Sequence, residues 1–231
     1  MAYRRTRQPR RGYGSRRRNQ RGGVLIALAI AAVALFRYCG SADYNEVTEQ
    51  MQYVGISENQ EIALGLQSAP TMMQQYGGEH PDQSLQAIVD RVGKRLVTRS
   101  DAINTPYQYE FHLLRDARVV NAFALPGGQV FITYALYSRL STEDQLAGVL
   151  GHEIGHVVAR HGAERIAQQE LSSGLTGAAV VASGDYRTAA AAQMISGLVN
   201  MNYGRDQELQ SDDLGVRFMV QAGYDPAGLI D

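Results

Sequence analysis

The chain has 231 residues and a formal net charge of −1, long enough for one sizeable domain with a buried core. Its single cysteine, Cys39, excludes an intrachain disulfide, so the fold must rest on its core and on any metal it holds. The near-neutral total conceals an asymmetry: nine arginines lie between Arg4 and Arg21, no acidic residue precedes Asp43, and the chain from Gly22 onward is markedly acidic.

Residues 1–21 read as a disordered basic arm, too polar to bury anything. Val24 to Phe36 is unbroken apolar sequence. Taken with its flanks over 22–42 it reaches the ~17–25 residues of a membrane-spanning helix, with Arg37 snorkelling to the far interface. A secretory h-region of ~7–15 residues is the competing reading, and Gly40-Ser41-Ala42 offers only a weak cleavage site. The uncleaved single-pass anchor is preferred. Either way the arginines keep the N-terminus inside and send the rest across, to the periplasmic side in a bacterium. This topogenic role also accounts for the basic arm without nucleic acid. Residues 43–56 read as a connector.

Ser57 with Gln60 forms a capping box ahead of a helix carrying Ile62, Ala63 and Leu66, which Pro70 is expected to end or kink. A second helix over about 82–99 carries the stripe Leu85, Ile88, Val89, Val92 and Leu96. Tyr107 to Leu113 alternates as a half-buried strand with His112 on its polar phase. Val119–Ala124 and Gln129–Thr133 are two further strands joined through Pro126-Gly127-Gly128; small Ala122 and Ala124 leave room for an extended peptide alongside, and a plain structural hairpin fits the same residues equally.

Thr142 with Gln145 then opens a helix whose centre reads His152-Glu153-Ile154-Gly155-His156. Histidines four apart share one helical face and can grip a single cation, with zinc the default and Glu153 beside it as general base toward water. A metzincin-type third ligand is excluded because Ala159 and Gly162 stand where Gly and His would be needed. On a continuous helix His161, five residues after His156, points away from the ligand face and reads as a helix-end residue, with Gly162 placed to stop the helix. A later segment supplies a carboxylate instead: Glu208 and Asp212 are four apart, so Glu208 can complete the site and Asp212 can hold a histidine tautomer. Tyr203 and Arg205 are nearby candidates for stabilising an oxyanion. The small-residue stretch Leu175–Met201 is read as a helical hairpin over the site.

These residues resemble the CAAX-prenyl-protease/HtpX-type family of zinc metallopeptidases, which combines an N-A-F-A-x-P-G-G strand with H-E-x-x-H and E-x-x-x-D. The three elements stand here, in the family's order, at Asn121–Gly128, His152–His156 and Glu208–Asp212, and the likeness covers about residues 57–231. It is greatest toward the single-anchor, LoiP- and BepA-like envelope members. The resemblance implies an α+β gluzincin: a mostly helical, zincin-like domain over 57–231 with a small antiparallel sheet packed on the H-E-x-x-H helix. It further implies one Zn²⁺ on His152, His156 and Glu208, and a substrate strand formed by Asn121, Ala122, Phe123 and Ala124. A polypeptide is then the substrate, drawn from unfolded or damaged envelope proteins. The alternative is a zinc-stabilised, membrane-anchored holdase that does not cut. Family members continue past Gly223–Pro226 into helices with a His-Pro motif, so the sequence is expected to be a fragment or to lack groups that elsewhere assist the site.

Overall fold

The computed structural model describes residues 16–183 and 203–229, which fall into two compact units. The first contains most of helix α1 (Arg16–Cys39) and the later part of helix α6 (His161–Ser183). The helix α1 begins inside the stretch expected to be a disordered arm; arginine is a good helix former and extends a helix already nucleated by its apolar half. By length and composition Gly22–Cys39 suffices to cross a membrane, and Leu25, Ile26, Leu28 and Phe36 are exposed along it. Of the hairpin expected over Leu175–Met201, the part beyond Ser183 lies outside the described residues.

The second unit holds the sheet and the candidate site. It opens with an antiparallel hairpin, β1 (Ala42–Asn45) and β2 (Gln50–Tyr53), where the sequence suggested a connector. Its inward face is polar, which is why no apolar alternation announced it. The helix α2 (Glu58–Gln75) starts at the Ser57 capping box and runs straight on through Pro70. Its neighbour Ala69 packs with Leu114 and Phe131, and that packing outweighs the one backbone bond a proline forfeits. The helix α3 (Gln83–Arg99) is capped by Asp82 and buries Val89, Val92 and Leu96.

Three strands follow, β3 (Glu110–Leu114), β4 (Ala122–Leu125) and β5 (Gln129–Thr133), in the spatial order β3-β5-β4. The sheet is mixed rather than antiparallel throughout: β4 pairs antiparallel with β5, but β3 pairs parallel with it. The tight turn after β4 swings β5 back between its two partners, and β4 is left at an edge. Gly127 and Gly128 adopt φ of 86° and 104° in that turn, and a Cβ at Gly127 would lie 2.4 Å from the Ile62 Cα of α2. Only glycine satisfies both demands.

After the short helix α4 (Tyr134–Tyr137), α5 (Glu143–Val158) is capped by Thr142 and buried along most of its length. On one side it meets the sheet and α3. On the other it meets α7 (Arg205–Ala222), with Leu150, Ile154, Leu214, Phe218 and Met219 in the shared core. The two helices touch through small residues: a Cβ on Gly155 would fall 3.0 Å from Ser211 O, and one on Gly215 would fall 3.0 Å from His152 N.

Candidate metal centre

The close approach of α5 and α7 puts three donor atoms around one point. His152 Nε2 is 3.0 Å from His156 Nε2, and Glu208 carboxylate oxygens lie 3.4 Å from the first and 3.9 Å from the second. A tetrahedral ion with bonds of ~2.0–2.1 Å holds its ligands about 3.3 Å apart, so these separations bracket what zinc requires. The mixed imidazole and carboxylate donors also suit that ion. Among the described residues this trio is the group that could hold a metal.

Each histidine is fixed from behind. His152 Nδ1–H donates to Asp212 Oδ1 at 2.8 Å, one turn along α7 from Glu208, which leaves Nε2 as a lone pair. His156 is buried, and its ring lies between others: Tyr203 stacks on it at 3.9 Å, while His152 and His161 meet it edge-on. Burial, then the influence of neighbouring His152, His161 and Arg165, pushes the His156 pKa down to about 2, so it stands neutral and able to ligate.

Glu153 lies one residue from the first ligand and is itself buried. Burial, and then the charge of Glu208, pushes its carboxyl up to about 8, while the Ala124 backbone N–H donates to it and offsets part of that rise. Strand β4 therefore forms the wall facing Glu153. Asn121 O accepts from Thr133 N at 3.0 Å and the Leu125 carbonyl accepts from Gly128 N, so by alternation Ala122 and Ala124 direct their backbone groups outward. Phe123 stacks on Phe131, and the Asn121 side-chain amide reaches Tyr76 Oη.

Of the two oxyanion candidates, Tyr203 packs on His156 with the Arg165 guanidinium 4.8 Å above its ring, and burial, then the charge of Glu153, pushes its hydroxyl up to about 12. Arg205 is exposed at the first residue of α7. A cavity of about 610 Å³ lies elsewhere, between the β1–β2 hairpin, the start of α2 and Pro106-Tyr107, with Arg160 on its floor.

His161 does not point away from the ligands. The helix α5 ends at Val158, Arg160 takes φ 55°, and a new helix starts at His161, whose fully buried ring turns back to His156. The break comes two residues before Gly162. A left-handed non-glycine residue costs roughly 1–2 kcal/mol, and here the Arg160 side chain is held by Glu61, Asp43 and the Ile56 carbonyl at 2.9, 2.7 and 2.9 Å. Helical spacing cannot reveal His161, because its placement depends on a break at Arg160, whose side-chain partners lie about 100 residues earlier or more.

Residues 83–231 match peptidase family M48. The chain is 30% identical over 190 residues to the Beta-barrel assembly-enhancing protease of Yersinia pestis, covering 75% of this chain and 37% of that relative. The protein of the same name from Escherichia coli strain K12 is 27% identical, over 89% of this chain and 44% of the relative. Mitochondrial metalloendopeptidase OMA1 of Schizosaccharomyces pombe is 29% identical, over 90% of this chain and 61% of the relative. The chain thus spans less than half the length of those bacterial relatives.

Proposed function

The chain belongs to peptidase family M48, and from that premise we propose that it is a membrane-anchored zinc endopeptidase cleaving unfolded or damaged envelope proteins. The observation that carries this reading is the meeting of His152, His156 and Glu208 with the buried carboxyl of Glu153 beside them. His152, His156 and Glu208 would hold the zinc, which when bound supplies Lewis-acid activation of water and of a carbonyl group.

The chain's own residues supply the rest. Glu153 takes a proton from the attacking water and returns it to the leaving amine, a role suited to a carboxyl poised near neutrality. Asp212 keeps the His152 ring in register. The outward edge of β4, with Asn121, Ala122, Phe123 and Ala124, receives the substrate as an added strand, so main-chain bonds give affinity and small side chains leave room. Tyr203 fits the oxyanion role better than exposed Arg205, because it stacks directly on the proposed ligand His156. The relatives named for β-barrel assembly support substrates in the envelope. The arginine-flanked α1 supports a single span with the N-terminus inside and the catalytic unit outside.

The test is cleavage of unfolded casein by the full chain in detergent. Wild type should produce fragments that a zinc chelator abolishes, and Glu153→Gln should retain zinc while losing roughly 10²–10⁴-fold in rate. Casein bound but left whole by wild type would point to a holdase and overturn the proposal.

A further inference from the structure

We infer that His161 is a positioning residue for the metal centre: it accepts the Nδ1 proton of His156 and thereby leaves the His156 Nε2 lone pair facing His152 and Glu208. The inference rests on the metal site proposed above, and it concerns a residue outside the three ligands and the general base.

The two imidazoles meet Nδ1 to Nδ1 at 2.8 Å, so a single proton must sit between them. The other end of the His161 ring decides on which side. Its Nε2 lies 2.8 Å from Gln210 Oε1, an acceptor, so the His161 proton is on Nε2 and its Nδ1 is a lone pair. Gln210 is oriented in turn by its own amide, which donates to Gln50 Oε1 at 3.0 Å. The chain of donors therefore runs from His156 through His161 and Gln210 to β2, and it terminates on an amide oxygen. Reversing every bond would place a proton on His156 Nε2, 3.0 Å from His152 Nε2, where the cation has to bind.

The two ligands are thus held by different devices. His152, partly exposed, has a carboxylate behind it; His156, buried, has a neutral ring. A further carboxylate beside Glu153 and Glu208 would add repulsion in a poorly solvated site, whereas an imidazole with its proton directed to Gln210 supplies an acceptor without charge. The left-handed turn at Arg160 makes this possible by returning the chain within two residues of the end of α5.

The experiment compares His161→Asn, which keeps an oxygen acceptor near the Nδ1 position, with His161→Leu, which keeps similar bulk and has none. In the full-length protein, zinc affinity is measured by chelator competition, and the His156 tautomer by ¹⁵N-resolved NMR of the zinc-free wild type. Leu should weaken zinc binding about 10–100-fold, Asn should stay within about threefold of wild type, and His156 should carry its proton on Nδ1. Equal losses in both variants would reduce His161 to packing and overturn the inference. A wild-type His156 protonated on Nε2 would overturn it whether or not the Leu variant folds. Wild type that binds no zinc would instead sink the metal site itself.

Discussion

The carboxylate of Glu153 accepts a hydrogen bond from the backbone N–H of Ala124, so the edge strand and this buried carboxylate share one wall of the site. A peptide laid along β4 would therefore arrive with its backbone beside the carboxyl proposed to move the proton. This contact also tempers the rise in the Glu153 pKa without cancelling it.

The first prediction follows from that rise. Burial, then Glu208, places the Glu153 carboxyl at about 8 in the zinc-free protein, against ~4.3 for an ordinary glutamate. A raised carboxyl favours the protonated fold, so its contribution is whole below ~4.3 and is lost as pH climbs toward about 8. With chelator present, Glu153→Gln should match wild type near pH 4.5 and exceed it near pH 8.5, by up to a few kcal/mol at ~1.4 kcal/mol per pKa unit. Thermal melting of both proteins across that range checks this. A gap that does not change with pH would refute it.

Asp212 is the carboxylate behind His152. Asp212→Leu should weaken zinc binding about 10–100-fold while the fold stays intact, because the His152 tautomer is no longer fixed. Chelator competition together with a circular dichroism melt separates the two effects. Unchanged affinity would mean that the histidine orients itself without help.

The glycine contacts between α5 and α7 set the distance from the histidines to Glu208. Gly155→Leu has to displace Ser211 and Leu214, and overpacking of this kind costs about 1–3 kcal/mol. Zinc content should fall much further than stability does, since a small outward shift of α7 separates the ligands. Full zinc occupancy in a folded Gly155→Leu protein would show that the helices have slack.

Arg160 and Glu61 form a buried ion pair at 2.9 Å. Removing Glu61 leaves the buried Arg160 guanidinium with only Asp43 and the Ile56 carbonyl, and Glu61→Leu alone should cost up to about 3–5 kcal/mol. Replacing both, as Glu61→Leu with Arg160→Met, should recover part of that loss in urea denaturation. Simple additivity would argue against coupling.

Helical periodicity could place His152 with His156 on one face, and Glu208 with Asp212 on another, because only local spacing decides it. The caps at Ser57 and Thr142 were legible for the same reason. Other features depend on distant partners. The insertion of β5 between β3 and β4 is a choice of pairing that no single strand's alternation encodes. The turn of His161 toward His156 rests on Arg160, held by a glutamate 99 residues earlier. The β1–β2 hairpin buries amides rather than apolar side chains, so its strands carried no hydrophobic rhythm.

Those amides bear on how the second unit should be cut for study without α1. Asn45 donates to the Val158 carbonyl at 2.7 Å and Gln52 donates to that of Ala159, at the end of the helix that carries both histidines. A truncation starting at Ser57 would remove α1 but strip those carbonyls of their partners and take away Asp43 from Arg160. Beginning at Tyr38 keeps the last turn of that helix tied off, and with it the bend that follows.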